Sequence, residues 1–166
     1  MILLVHLLFG AAIGSAIKNV PLAIVLAFLS HYFLDFFPHI EYGIENIEKK
    51  QWRKILPDVL KVLLDFLSGI LLIWIFSDPL AGSGRAIIYI CAFMAILPDG
   101  FTVLNYLVSN KILEVHNKIH HQKIHFLREN PSGPKGYPLK KIKISRFWRI
   151  ASQVAAVIIS VVLLKI

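Results

Sequence analysis

Apolar residues along this chain gather into five runs, at 2–17, 21–37, 59–76, 86–108 and 150–164. Charged residues collect between the runs rather than along one face of each. That pattern predicts five helices that are greasy all round. A bilayer core of roughly 30 Å needs about 20 helical residues, with about 17 as a lower limit. The fourth run is long enough outright. The others sit near the limit, which predicts tilt, local thinning or partial insertion. The expected fold is therefore all-α, a polytopic membrane bundle of about five apolar helices, with 1–166 forming one integral membrane domain.

Breakers refine this picture. Pro21 fits the first turn of the second helix, where its missing N–H costs nothing. Gly10 and Gly14 form a small-xxx-small face suited to close helix packing. Segment 39–57 mixes Ile and Trp with Glu and Lys and reads as interfacial. Segment 130–138, Asn-Pro-Ser-Gly-Pro-Lys-Gly-Tyr-Pro, reads as a loop. The first run has no basic residue before it and no cleavage site leading into a polar domain, so it reads as a retained helix.

Composition supports a membrane protein. Of 166 residues, 57% are hydrophobic and only 17% charged, with a mean hydropathy of +0.67. Soluble domains carry about 25% charged residues. The single cysteine, Cys91, lies inside the fourth run and excludes an intrachain disulfide. Charge then sets the topology. With five spans, segments 38–57 and 109–148 share a side, and they hold four and nine Lys and Arg. The other side has only Lys18, Arg85 and Lys165. The positive-inside rule puts the basic side in the cytoplasm of an inner membrane. The net charge of +8 then points to anionic lipid headgroups as partners rather than to nucleic acid.

The ionisable residues inside the apolar runs carry the functional signal, because such groups cost several kcal/mol in a membrane helix, about 2.5–3.5 on insertion scales. They are His6, His31, Asp35, Lys61, Asp65 and Asp99, with His39 and Asp58 at helix ends. His31 and Asp35 stand four apart on one helical face. They can present a nitrogen and an oxygen to one point, as a metal site requires. The simpler alternative is a histidine that donates to Asp35 and ties two helices together. Asp65 lies about two turns into the third helix and reads as a ligand, with Lys61 free to neutralise Asp58. Asp99 follows Pro98, whose kink opens space beside the carboxylate. The remaining histidines are His116, His120, His121 and His125, two i, i+4 pairs on different faces of a basic, interfacial helix. One centre is not expected to use all four.

Depth ties these residues together. Each lies toward the cytoplasmic end of its helix, Asp99 roughly 14 Å in at 1.5 Å per residue. The opposite half of the bundle holds almost no ionisable group.

The constellation resembles a family. An early His, the Ser30-His31-x3-Asp35-x2-Pro38-His39 motif, a lone Asp65, Leu97-Pro98-Asp99 and a late His-x3-His resemble the bacterial membrane-bound metal-dependent hydrolases. That family includes the LexA-regulated inner-membrane protein. It is remotely similar to the zinc-dependent phospholipase C and single-strand nuclease superfamily. The resemblance implies His6, His31, Asp35, His39, Asp65, Asp99, His116 and His120 as metal ligands, with Asp35 and Asp99 also catalytic. Family members also carry a His-Arg-Gly-x-Thr-His-Ser motif. Here only its His spacing is kept, between His116 and His121.

The expected activity is metal-assisted hydrolysis of a lipid phosphoester at the cytoplasmic headgroup level. It would use two or three divalent ions, zinc first and manganese or iron next. Lys118, Lys123 or Arg128 would hold the phosphate. Two rivals predict other patterns. A metal transporter needs ionisable groups through the full membrane depth. A non-catalytic scaffold, metal-binding or using its polar residues only to tie helices together, has no hydrolytic activity.

Overall fold

The computed structural model describes residues 2–77, 84–108, 110–120 and 145–165, and these are entirely helix and loop. Seven α-helices follow in chain order among the described residues: α1 (Leu3–Ala16), α2 (Val20–Asp35), α3 (Glu45–Glu48), α4 (Leu56–Phe76), α5 (Gly84–Leu107), α6 (Lys111–Ile119) and α7 (Arg146–Leu164). A single 3-10 turn, Trp52–Lys54, joins α3 to α4. The five apolar runs are α1, α2, α4, α5 and α7, so the bundle architecture read from the pattern is the one observed.

Helix α1 is the hub. It packs against α2, α4, α5 and α7, and Val5, His6, Leu7, Leu8, Gly10, Ala11, Ala12 and Gly14 are all buried. A helix that is apolar all round belongs inside protein or lipid, and α1 is inside protein. Its 14 residues are too few to cross a bilayer unaided, but its neighbours cover it. Gly10 and Gly14 lie directly against α5. A methyl group at Gly10 would sit 2.5 Å from the Ala95 Cβ and 2.6 Å from the Cys91 carbonyl oxygen.

Helices α4, α5 and α7 are long and apolar enough to span a membrane. The most apolar window of α4 is only 11% buried by protein. Leu60, Leu64, Leu67, Leu71 and Trp74 are exposed along it. A face of that size is unfavourable in water and natural in lipid.

The ends of α2 show how sequence fixes the local structure. Asn19 accepts a hydrogen bond from the Leu22 N–H at 3.1 Å, and Pro21 sits in the first turn. These are the ordinary helix-starting signals. Small residues, Ala23 and Ala27, face α5 at Cys91. The same stripe continues through Ser30, His31, Leu34 and Asp35, all buried.

Between α2 and α4 the chain crosses the end of the bundle. Asp58, in the first turn of α4, accepts from the Asn46 and Ile47 N–H groups at 2.8 and 3.4 Å, and Lys61 Nζ lies 3.4 Å from it. Helix α7 pins the preceding stretch. Gln153 donates to the Ile40 carbonyl at 2.8 Å, Arg149 to the His39 carbonyl at 3.5 Å, and Ser152 to the Pro38 carbonyl.

Candidate metal centre

Four helices deliver one side chain or more to a single buried point. His31 and Asp35 come from the last turns of α2, His6 from the start of α1, Asp99 from α5 just beyond Pro98, and His120 from the residue after α6. His6, His31, Asp35 and His120 are all 1% exposed or less. One ligand atom from each of His31, Asp35, Asp99 and His120 lies within 4.8 Å of the other three.

The individual separations fit a small cation. His31 Nε2 is 3.1 Å from Asp35 Oδ2, 3.5 Å from Asp99 Oδ1 and 3.2 Å from His120 Nε2. His120 Nε2 is 2.9 Å from Asp35 Oδ2. Zinc bonds of about 2.0–2.2 Å in a tetrahedron place neighbouring ligand atoms roughly 3.4 Å apart.

Hydrogen bonding behind the rings fixes their orientation. His31 Nδ1 lies 2.8 Å from the Ala95 carbonyl oxygen. A carbonyl only accepts, so Nδ1 carries the hydrogen and Nε2 is turned inward. His120 is held in the same sense. Its Nδ1 lies 3.4 Å from Thr102 Oγ1, and that hydroxyl donates to the Pro98 carbonyl at 3.4 Å. His39 Nδ1 donates to the Phe37 carbonyl at 2.7 Å, so its Nε2 faces Glu41 Oε1 at 2.8 Å and Asp35 Oδ1 at 3.9 Å. Three imidazole Nε2 atoms therefore face carboxylate oxygens. Lone pair against anion is repulsive unless a cation or a proton lies between them. Metal-ligating histidines are held by their second nitrogen in just this way.

His6 adds an independent sign. Its ring stacks on His31 with centroids 4.2 Å apart. Its Nε2 is 3.2 Å from Asp35 Oδ1, yet the approach is off-line, and neither buried ring nitrogen has a hydrogen-bond partner among the described residues. Leaving such a group unsatisfied costs about 1–3 kcal/mol. A cation beside Asp35 Oδ1 would give Nε2 a partner. The donor set of imidazole and carboxylate thus fits a divalent metal.

Two residues expected as ligands lie elsewhere. Asp65 accepts from the Leu3 and Leu4 N–H groups at 2.7 and 3.3 Å and from the Tyr42 hydroxyl at 3.1 Å. It caps the start of α1, where helical N–H groups lack internal partners. Tyr42 is a durable donor there, since burial and then the Asp65 carboxylate push its hydroxyl above the usual tyrosine value. His116 stands beside the cluster rather than in it. Its Nε2 donates to the Pro98 carbonyl at 3.2 Å, its Nδ1 is 3.4 Å from the Tyr32 hydroxyl, and Phe101 packs edge-on against it. Of the proposed phosphate-holding residues, Lys118 is exposed on α6. Lys123 and Arg128, like His121 and His125, lie outside the described residues.

The sequence reading missed Glu41, Thr102 and the α7 clamp. Thr102 lies three residues beyond Asp99 on one helical face, a spacing that could have marked it. Glu41 sits two residues past His39, in a stretch read only as interfacial. Arg149 and Gln153 are polar residues at the start of an apolar run.

No family model, curated protein or solved structure matches this chain. Its function is therefore argued from the site itself.

Proposed function

We propose that this protein is a membrane-embedded, metal-dependent hydrolase that cleaves a phosphoester of a lipid headgroup at the cytoplasmic face. The observation that carries the reading is the convergence of oriented imidazole nitrogens with the Asp35 and Asp99 carboxylates at one buried point.

A divalent cation held there supplies Lewis-acid stabilisation of phosphoryl charge and makes water a nucleophile near neutral pH. His31, His120 and Asp35 Oδ2 would hold a first ion. Asp35 Oδ1 turns to His6 and His39 instead, so those two histidines and that oxygen would be the donors available to any second ion. Mixed nitrogen and oxygen ligands favour zinc, then manganese or iron. Asp99 is the one member with substantial exposure, its side chain being 34% exposed. It stands where substrate and water would enter, and it is the residue best placed to take a proton from an attacking water. The basic segments put this end of the bundle in the cytoplasm.

A scaffold reading has one observation in its favour: a proton on His31 or His120 would also tie α2 to the residue after α6 through Asp35. Metal analysis separates the two. Detergent-purified protein, reconstituted with zinc or manganese, is expected to retain at least one ion per chain, and Asp35→Ala to retain none. Release of phosphate-containing products from a phospholipid panel then tests hydrolysis. Metal-free wild-type protein after reconstitution would sink the enzyme reading.

A further inference from the structure

We infer that the groove between α4 and α5 is a seat for the acyl chain of a membrane lipid, which enters sideways from the bilayer. Helices α4 and α5 both pack on α1 but make almost no contact with each other. The gap between them is a cavity of about 620 Å³, within the usual range for ligand sites, about 300–1,000 Å³. Its apolar walls come mainly from two long apolar helices, with Val62, Leu63 and Phe66 on α4 and Ile96, Val103 and Leu107 on α5, and the stretch from Glu41 to Glu48 closes one side. The apolar stretch of such a slot offers water no partners. In a bilayer, what lies beside it is lipid.

The groove also has polar lining. Asp99, Glu41 and Tyr42 all line it, and Asp99 Oδ1 is 3.5 Å from His31 Nε2. The groove therefore runs from the metal-ligand cluster into hydrocarbon. A single-file amphiphile matches that polarity: head at Asp99, chain between α4 and α5. Three carboxylates line the groove, Glu41, Glu48 and Asp99. A phosphate head needs cations among them, so the head end of this inference rests on the metal reading above. The chain end does not.

Gly100 gives the test. It lines the groove, and a Cβ added there would meet nothing within 4 Å. Gly100→Leu therefore starts into open space and is the substitution chosen to fill the slot. The probe is a phosphatidylglycerol with a diazirine near the end of one acyl chain, mixed into phosphatidylcholine vesicles that hold the wild-type protein. On illumination, labelled peptides are expected to map to residues 59–66 and 96–107 and to include Val62 and Val103. Gly100→Leu, with metal content equal to wild type, is expected to lose labelling at those inward positions. Labelling confined to outward positions such as Leu64 and Leu71 overturns the inference. So does inward labelling that Gly100→Leu leaves intact, or cross-linked pairs of chains through this face. Inward labelling of a protein that binds no metal keeps the acyl-chain seat and rejects the hydrolase, so the two readings fail separately.

Discussion

The Nε2 atoms of His31 and His120 lie 3.2 Å apart, and each ring is anchored from behind through Nδ1. Two ring nitrogens turned toward each other beside Asp35 make a pair that a shared proton or a cation would bridge. Removing one ring leaves the other with Asp35 and Asp99 alone. His120→Ala and His31→Ala are each expected to abolish stoichiometric zinc binding, measured by metal analysis after dialysis against a weak chelator. His116→Ala, one turn away but facing Tyr32 and Pro98, is expected to keep the metal. Loss of metal in His116→Ala with retention in His120→Ala would reverse the assignment.

Thr102 acts on the site through His120. Its hydroxyl sits between His120 Nδ1 and the Pro98 carbonyl, so it fixes which imidazole nitrogen bears the hydrogen. Groups in this position typically change metal affinity by about 10–100-fold. Thr102→Val keeps the shape and removes the hydroxyl. Zinc affinity measured by competition with a fluorescent chelator is expected to fall by about that factor, and Thr102→Ser is expected to restore it. A side chain that only filled space would give the opposite order, with Val harmless and Ser harmful.

Asp65 provides a contrasting case. Its carboxylate receives two backbone N–H groups and the Tyr42 hydroxyl, so its work is to start α1 and tie it to α4. Asp65→Ala strands those donors, at a cost of about 1–3 kcal/mol. The thermal unfolding temperature in detergent is expected to drop, while the metal-to-protein ratio of the folded fraction stays at the wild-type value. A lowered ratio with unchanged thermal stability would make Asp65 a ligand after all.

These assignments show which features sequence could carry. The apolar runs announced their helices, because a lipid-facing or centrally buried helix has little freedom to be polar. His31 and Asp35 were legible because four residues make one turn and a bit, so their shared face follows from backbone geometry alone. Asp65 looked the same by that criterion. What distinguishes it is the start of α1 beside it, a contact between residues 62 positions apart that no local pattern encodes. Glu41 escaped for a related reason. It lies outside regular helix, where no periodicity relates it to His39, and its place depends on Gln153 and Arg149 reaching across from α7.

The α1–α5 seam sets the position of everything above it. Gly10 sits against Ala95 and Cys91, and Ala95 is also the residue whose carbonyl holds His31. A side chain at Gly10 would have to displace the α5 backbone, since the nearest atoms include the Cys91 carbonyl oxygen at 2.6 Å. Backbone cannot swing aside as a flexible side chain can, and overpacking of this kind typically costs about 1–3 kcal/mol. Moving α5 away from α1 also moves Ala95 and Asp99 relative to His31. Gly10→Val is therefore expected to lower both thermal stability and metal affinity. Gly43→Val, in the loop before α3 where a Cβ meets only the Glu45 side chain at 3.7 and 3.9 Å, is expected to change neither by comparison. Thermal unfolding and chelator competition on the same purified samples read both effects. Equal behaviour of the two variants would mean that the α1–α5 contact is not what holds the cluster in place.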